Sequence, residues 1–439
     1  MELSAQVLAT GKLLAIFGVL VALLRFHVPL WLTILAGALT TALLCGISPA
    51  VWSDLIVSVL RQQDFLILCL MIFLILVLSG VQESTGQSHD LVEGLEGYIR
   101  SPRVRLVIFP ALVGLLPMPG GALFSCPMIR DAARNMNLGA ERKALINYWF
   151  RHIWELAWPL YPGYALACSL IGIPISRLAL FTFPAVFIAF SVGWFFFLRD
   201  LGGSLVETAA AGDECGAASA PRQPLGAVLL NALPIAVTLL GAAALGLLFS
   251  RVLPQLPGQA VFCFSLALAI ATALFQGRGR MKRPLARIAF SRNTGRIMLL
   301  LFAIYVFKDA IAQGGIVREL SHMGQSPLIV CLTVVLIPFV SGILTGILVG
   351  LVGLSFPIVI GILAHSPMQE YATPLMVLAL VAGNCGQMLS PLHVCLVVTG
   401  EFFTTRLPAL LRSLFLPTLF IFSGGLLWAG ALYLLGASF

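Results

Sequence analysis

The chain has 439 residues, of which 59% are hydrophobic and only 10% charged, with a mean hydropathy of +1.01. Ordinary soluble domains carry about 25% charged residues, so a water-soluble globule, and with it a soluble cytoplasmic enzyme, is excluded. The net charge of +8 would suggest nucleic acid in a soluble protein, but cations flanking membrane helices collect on the cytoplasmic side, and no nucleic-acid partner is expected.

In chain order, apolar runs long enough to cross about 30 Å of hydrocarbon lie at about 5–26, 28–46, 64–83, 144–173 and 177–198. A second set follows near 225–249, 258–276, 296–314, 371–400 and 410–436. These ten stretches predict an all-α polytopic membrane protein in contact with the lipid bilayer. The first has Lys12 as its sole basic residue before the apolar run, and further spans follow at once, so it reads as a mature helix and not as a signal peptide.

Two more apolar segments, about 104–129 and 327–364, are interrupted by Pro and Gly, in VGLLPMPGGALFSCP and VSGILTGILVGLVGLSFP. Glycine permits a tight reversal and proline removes a backbone donor. Such a break survives at membrane depth only inside protein or against a watery cavity, so both segments are expected to be re-entrant hairpins. The loop between Gly277 and Arg296 carries seven arginines and lysines and no acid, which places it in the cytoplasm. Alternation from there, with both hairpins re-entrant, leaves six of the 26 cations, Lys12, Arg61, Arg177, Arg251, Lys308 and Arg318, outside or buried. Both termini are then expected on the outer side.

The halves overlay at a near-constant offset. Thr41 of TALLCG matches Thr272 of TALFQG, Ser125 of SCP matches Ser355 of SFP, and Pro159 matches Pro391. The expected organisation is a first repeat over 1–198, a polar cytoplasmic linker over 199–224, and a second repeat over 225–439. Each repeat has five crossings and one hairpin, and an odd number of crossings makes the second copy enter upside down. Inverted halves that exchange conformation expose one central site alternately to either side.

The hairpin tips and two interrupted helices, NYWFRHIWELAWPLYPGYA and ALVAGNCGQMLSPLHVCLV, are expected to converge on that site. Glu155 is a proton acceptor or ion ligand candidate, and Arg151, four residues earlier, is placed to pair with it or with a substrate carboxylate. The plainer reading has Arg151 and His152 reaching the interface with Glu155 neutralising Arg151. Asn384, Gln387, Ser390 and His393 are strongly polar for an apolar span and are ligand candidates, although helix-to-helix bonding is a common use of such side chains. Pro119, Gly120 and Gly121 form the first tip. Ser125, Ser341, Thr345 and Ser355 offer hydroxyls to substrate or Na⁺, or else to their own helix backbone. Lys308 and Asp309, adjacent in sequence, are expected to find separate partners. The nine cysteines are scattered singly, with no metal-binding spacing, so neither a metal nor an organic cofactor is expected. No nucleotide or hydrolase motif occurs, so transport would use a gradient of H⁺ or Na⁺, or run passively.

The order hairpin, polar helix, hairpin, polar helix resembles the ion transporter superfamily, which includes divalent-anion/sodium symporters, gluconate permeases and the large membrane subunits of TRAP transporters. More closely, LLPMPGGALFSCPM, NYWFRHIWELAWPLYPG and GNCGQMLSPLHVCL resemble an uncharacterised prokaryotic integral-membrane family with a domain-of-unknown-function label. The superfamily resemblance implies an elevator mechanism with scaffold and transport domains, a homodimer, a small organic anion as cargo, and residence in a prokaryotic cytoplasmic membrane. Its sodium symporters carry Ser-Asn-Thr at each tip, whereas this chain has PMPGG and SGILTG, and Glu155 favours H⁺ over Na⁺. Two other readings remain at this point: a membrane subunit served by a separate binding protein, and an intramembrane enzyme using Glu155 and His152, for which no nucleophile stands beside a base.

Overall fold

A computed structural model of the chain describes residues 2–99, 101–116, 121–134, 136–202, 223–253, 255–316 and 326–438. The described residues form helices and connecting turns. The first half contains α1 (Glu2–Arg25), α2 (Leu30–Leu44), α3 (Pro49–Val59), α4 (Gln63–Thr85), α5 (Gln87–Glu96), α6 (Pro102–Leu115), α7 (Gly121–Ala132), α8 (Ala140–His152), α9 (Pro162–Ile171) and α10 (Ile175–Phe197). The second contains α11 (Leu225–Val252), α12 (Gly258–Gln276), α13 (Leu285–Ala289), α14 (Arg292–Gln313), α15 (Pro327–Thr345), α16 (Leu348–Ala364), α17 (Ala372–Met388), α18 (Val394–Phe402) and α19 (Leu407–Leu434).

Six described helices, α4, α10, α11, α12, α15 and α19, are long and apolar enough to cross a membrane. The expectation of ten crossings is thereby refined. The stretches at 144–173 and 371–400 are each two helices around a break, and α2 has only 15 residues. The segment 104–129 folds as α6 and α7, and 327–364 as α15 and α16, each a pair of helices packed on one another. In the second pair Gly346 supplies the left-handed turn at φ +61°, which L side chains rarely adopt. In the first pair residues 117–120, including the candidate tip residues Pro119 and Gly120, lie outside the described residues. Most of the expected linker, 203–222, does too.

Several helix contacts of the described residues fall in pairs, one from each half. Helix α6 packs on α8, and α15 on α17; α2 packs on α14, while α12 packs on α4; α9 packs on α16, while α7 packs on α18. Contacts therefore cross between the halves in matched pairs.

Two large apolar cores result. One gathers α1 to α4, α9, α12, α14, α15, α16 and the first half of α17; the other gathers α6, α7, α8, α10, α18, α19 and the second half of α17. Close approach is permitted by glycine where backbones touch. A Cβ on Gly114 of α6 would strike the Arg151 carbonyl, one on Gly342 of α15 the Gly383 carbonyl, and one on Gly386 of α17 the Phe339 carbonyl.

Lys308 and Asp309 differ from expectation. Their side chains pair with each other at 3.3 Å, and both bond Gln62, at 3.3 Å from Lys308 Nζ and 2.6 Å from Asp309 Oδ2. Flexible stems let neighbours on different helix faces bend to one polar partner, which joins α14 to the start of α4.

Candidate functional site

Proline sets the two breaks. Helix α8 runs into a 3-10 turn at Ile153–Leu156, and α9 restarts with Pro162 in its first turn, where a missing N–H costs nothing. Helix α17 ends at Met388, and Pro391 separates it from α18, whose N-cap is His393. The orphan carbonyls that end the first hairpin arm are met by side chains of the first break. Trp154 Nε1 donates to Ala111 O (2.8 Å), Trp158 Nε1 to Leu115 O (2.8 Å) and the Tyr161 hydroxyl to Gly114 O (2.6 Å). In the second half the Ser390 hydroxyl does the same for Ile343 O at 2.6 Å. The aromatic cluster of the first break thus holds the hairpin arm to the broken helix.

Between these breaks lies a buried polar group. Arg151, His152 and Glu155 are 7%, 1% and 7% exposed, and Asn147, Asn384, Gln387, Ser390 and His393 are buried with them. Gln387 Nε2 donates to Glu155 Oε2. Arg151 Nη1 lies 3.2 Å from His152 Nε2 and 3.1 Å from Cys395 Sγ. The two imidazoles meet at 3.1 Å through their Nε2 atoms. His152 Nδ1 donates to Tyr148 O at 2.6 Å, because a carbonyl only accepts, and His393 Nδ1 lies 3.2 Å from the Tyr148 hydroxyl. The guanidinium also lies against Gly121, the first residue of α7, where an added Cβ would stand 2.9 Å from Arg151 Nη2.

The expected pairing of Arg151 with Glu155 is not among the ion pairs of the described residues. The reason is local. Residues four apart face each other on an α-helix, but the 3-10 turn has about three residues per turn and swings Glu155 away. It meets Gln387 from the other half instead.

The remaining candidates divide. Gly121, Arg151, His152, Glu155, Gln387 and His393 form the group just described. Ser390 and Ser341 sit where the second tip meets the second break; a Cβ on Gly346 would lie 3.0 Å from Ser390 Oγ, and one on Gly342 2.7 Å from Gln387 N. The hydroxyls of Ser125, Thr345 and Ser355 bond their own helices, to Gly121 O (3.2 Å), Ser341 O (2.8 Å) and Leu351 O (2.6 Å). Several buried polar atoms have no partner among the described residues: Arg151 Nε, Asn147 Oδ1, Ser341 Oγ, Asn384 Nδ2 and Gln387 Oε1. Buried groups of this kind are costly.

Sequence reasoning missed Asn147, Tyr148 and Cys395. Tyr148 stands one turn before His152, a spacing that signals a shared face. Cys395 gave no such signal, and the cysteines do not all stand alone: ligand atoms of His152, His393 and Cys395 lie within 4.8 Å of one another. Arg151 Nη1 contacts two of the three, so a positive charge already occupies that corner, and the arrangement suits a guanidinium better than a metal cation.

The model of the family described as "Protein of unknown function (DUF401)" matches residues 9–429, and the chain belongs to that family. No curated protein matches it. Among solved structures it is similar to the YdaH transporter of Alcanivorax borkumensis, described as having an unusual topology, with a TM-score of 0.60 and 15% identity over 89% of this chain and 90% of that one. At that identity the likeness is one of fold.

Proposed function

We propose that this member of the DUF401 family is a secondary transporter that carries a small organic anion, a carboxylate, across a prokaryotic cytoplasmic membrane. One observation carries the reading. Arg151 is a buried guanidinium whose Nε has no partner among the described residues, whose Nη1 meets His152 and Cys395, and which lies against Gly121, the first residue of α7. A helix N-terminus and a guanidinium both favour a negative group, and the carboxylate nearest in sequence is turned to Gln387. A substrate carboxylate supplies the acceptor that Arg151 Nε lacks.

The architecture supports vectorial movement. Matched contacts that cross between the halves are what two inverted repeats produce, and interrupted helices at their interface are the usual seat of substrate in such folds. Membership of the ion transporter superfamily, an elevator motion of hairpins and broken helices against a dimeric scaffold, coupling to H⁺ or Na⁺, and termini on the outer side complete the proposal. The similarity in fold to a solved transporter is consistent with it.

Thermal melting of the purified protein against a panel of mono-, di- and tricarboxylic acids, with and without Na⁺ and at two pH values, tests the site. A ligand of the native state stabilises it by about 2.7 kcal/mol at a hundredfold excess over its dissociation constant. At least one acid is expected to raise the melting temperature of the wild type and leave Arg151→Gln unmoved. Equal shifts in both proteins would remove Arg151 from the site.

A further inference from the structure

Glu155 and Gln387 are 232 residues apart, the same spacing that relates Pro159 to Pro391. By that spacing Glu155, in the 3-10 turn after α8, is the sequence counterpart of Gln387, in the last turn of α17, and the two touch. Gln387 Nε2 donates to Glu155 Oε2, while Gln387 Oε1, buried beside it, has no partner among the described residues. An ionised carboxylate offers acceptors alone, so it cannot satisfy that oxygen. A carboxylic acid can: its O–H donates to the amide oxygen while its carbonyl accepts from the amide nitrogen.

We infer that Glu155 and Gln387 form a proton-binding site shared by the two halves, closed by uptake of one proton into a ring of two hydrogen bonds. The proton comes from water, the carboxylate becomes a carboxylic acid, and no other bond changes. The deprotonated pair keeps the single bond from Gln387 Nε2 and leaves Oε1 unmet, so proton exchange tightens and loosens a contact between halves that transport must move. Naming this proton as the coupling ion rests on the transport reading; the proton site itself does not.

Of the surrounding ionisable groups, Arg151 lies near enough to act on Glu155 through its charge, and the hydrogen bonds of the others go elsewhere. Arg151 contacts His152 and Cys395, and His152 and His393 contact each other, with Tyr148 bonded to both. The Tyr148 hydroxyl also donates to Met388 O and the Tyr161 hydroxyl to Gly114 O. The other helices packed on the 3-10 turn are α6, α10 and α17. Arg103 and Arg105 of α6 bond Leu201 O and Ile99 O, Arg177 of α10 bonds Ser438 O, and Cys385 of α17 lies 3.7 Å from Thr418 O.

Infrared difference spectroscopy of the full-length protein in liposomes, titrated with acid in the absence of any substrate, reads the site directly. Beside the bands of the other acidic residues, one acid C=O component is expected to grow in a single step as pH falls and to be the component missing from Glu155→Gln, whose amide keeps a paired contact with Gln387. In Gln387→Leu the band is expected to shift to higher frequency, having lost its amide donor. Wild-type protein isotopically labelled at the glutamine side-chain carbonyls needs no variant: an amide band should move with the same midpoint as the acid band. An acid spectrum that loses no component in Glu155→Gln at any pH where the protein stays folded, or an amide band that ignores the titration, overturns the inference. An absent or pH-independent anion uptake beside an intact titration would instead count against the transport reading.

Discussion

The break after α8 and the break after α17 use one backbone device, proline ending a helix and a new helix starting just beyond, yet they carry different chemistry. Arg151, His152 and Glu155 lie at and just after the end of α8, and the sequence offset of 232 residues sets Gly383, Asn384 and Gln387, near the end of α17, against them. The first half holds the charges, and the second answers with amides and glycine. Desolvating a charge costs several kcal/mol, so two halves that meet at one buried site do best with the charges on one side. The other does best with groups that both donate and accept. The shape of the site is a property of both halves, and its charge a property of one.

The largest expected effect comes from making the halves alike. Gln387→Glu sets a second carboxyl against Glu155 and should destabilise the protein by about 3 kcal/mol or more near neutral pH. The exchange Glu155→Gln with Gln387→Glu restores one acid and one amide and should recover most of that loss in thermal melts. No recovery would show that the two positions are not interchangeable.

A middle-sized effect tests the shared packing. Arg151 O and Gly383 O each face a glycine of the helix packed on them, Gly114 of α6 and Gly342 of α15. Gly114→Ala and Gly342→Ala should each cost about 1–3 kcal/mol by overpacking, read as lowered melting temperatures of similar size. A large loss in one and none in the other would break the correspondence.

The smallest concerns the carbonyls that end the hairpin arms. Trp158→Phe removes the donor to Leu115 O, and Ser390→Ala the donor to Ile343 O. Each should cost about 1 kcal/mol and leave ligand-induced stabilisation intact, since these bonds hold the arms and not the anion.

Much of this was legible in the sequence because its signals are local. Pro159, Pro162 and Pro391 announce the breaks, glycines announce the second turn, and polar side chains in apolar runs mark the buried group. What was hidden depends on turns and distance. The 3-10 turn that carries Glu155 from Arg151 to Gln387 has no residue signature distinct from a helix, and Cys395 joins the histidines only because α18 packs beside α8. Helix α3, capped by Ser48, has only 11 residues and was too short to read as a crossing. Lys308 and Asp309 share Gln62 from far along the chain, which adjacency argued against.

Movement of an organic anion through this site, driven by an imposed ion gradient, is tested most directly by uptake. Purified protein in liposomes should accumulate the acid found by thermal melting when a pH or Na⁺ gradient is applied, and Arg151→Gln should abolish the uptake. Flux that ignores both gradients, or uptake undiminished in Arg151→Gln, would contradict it.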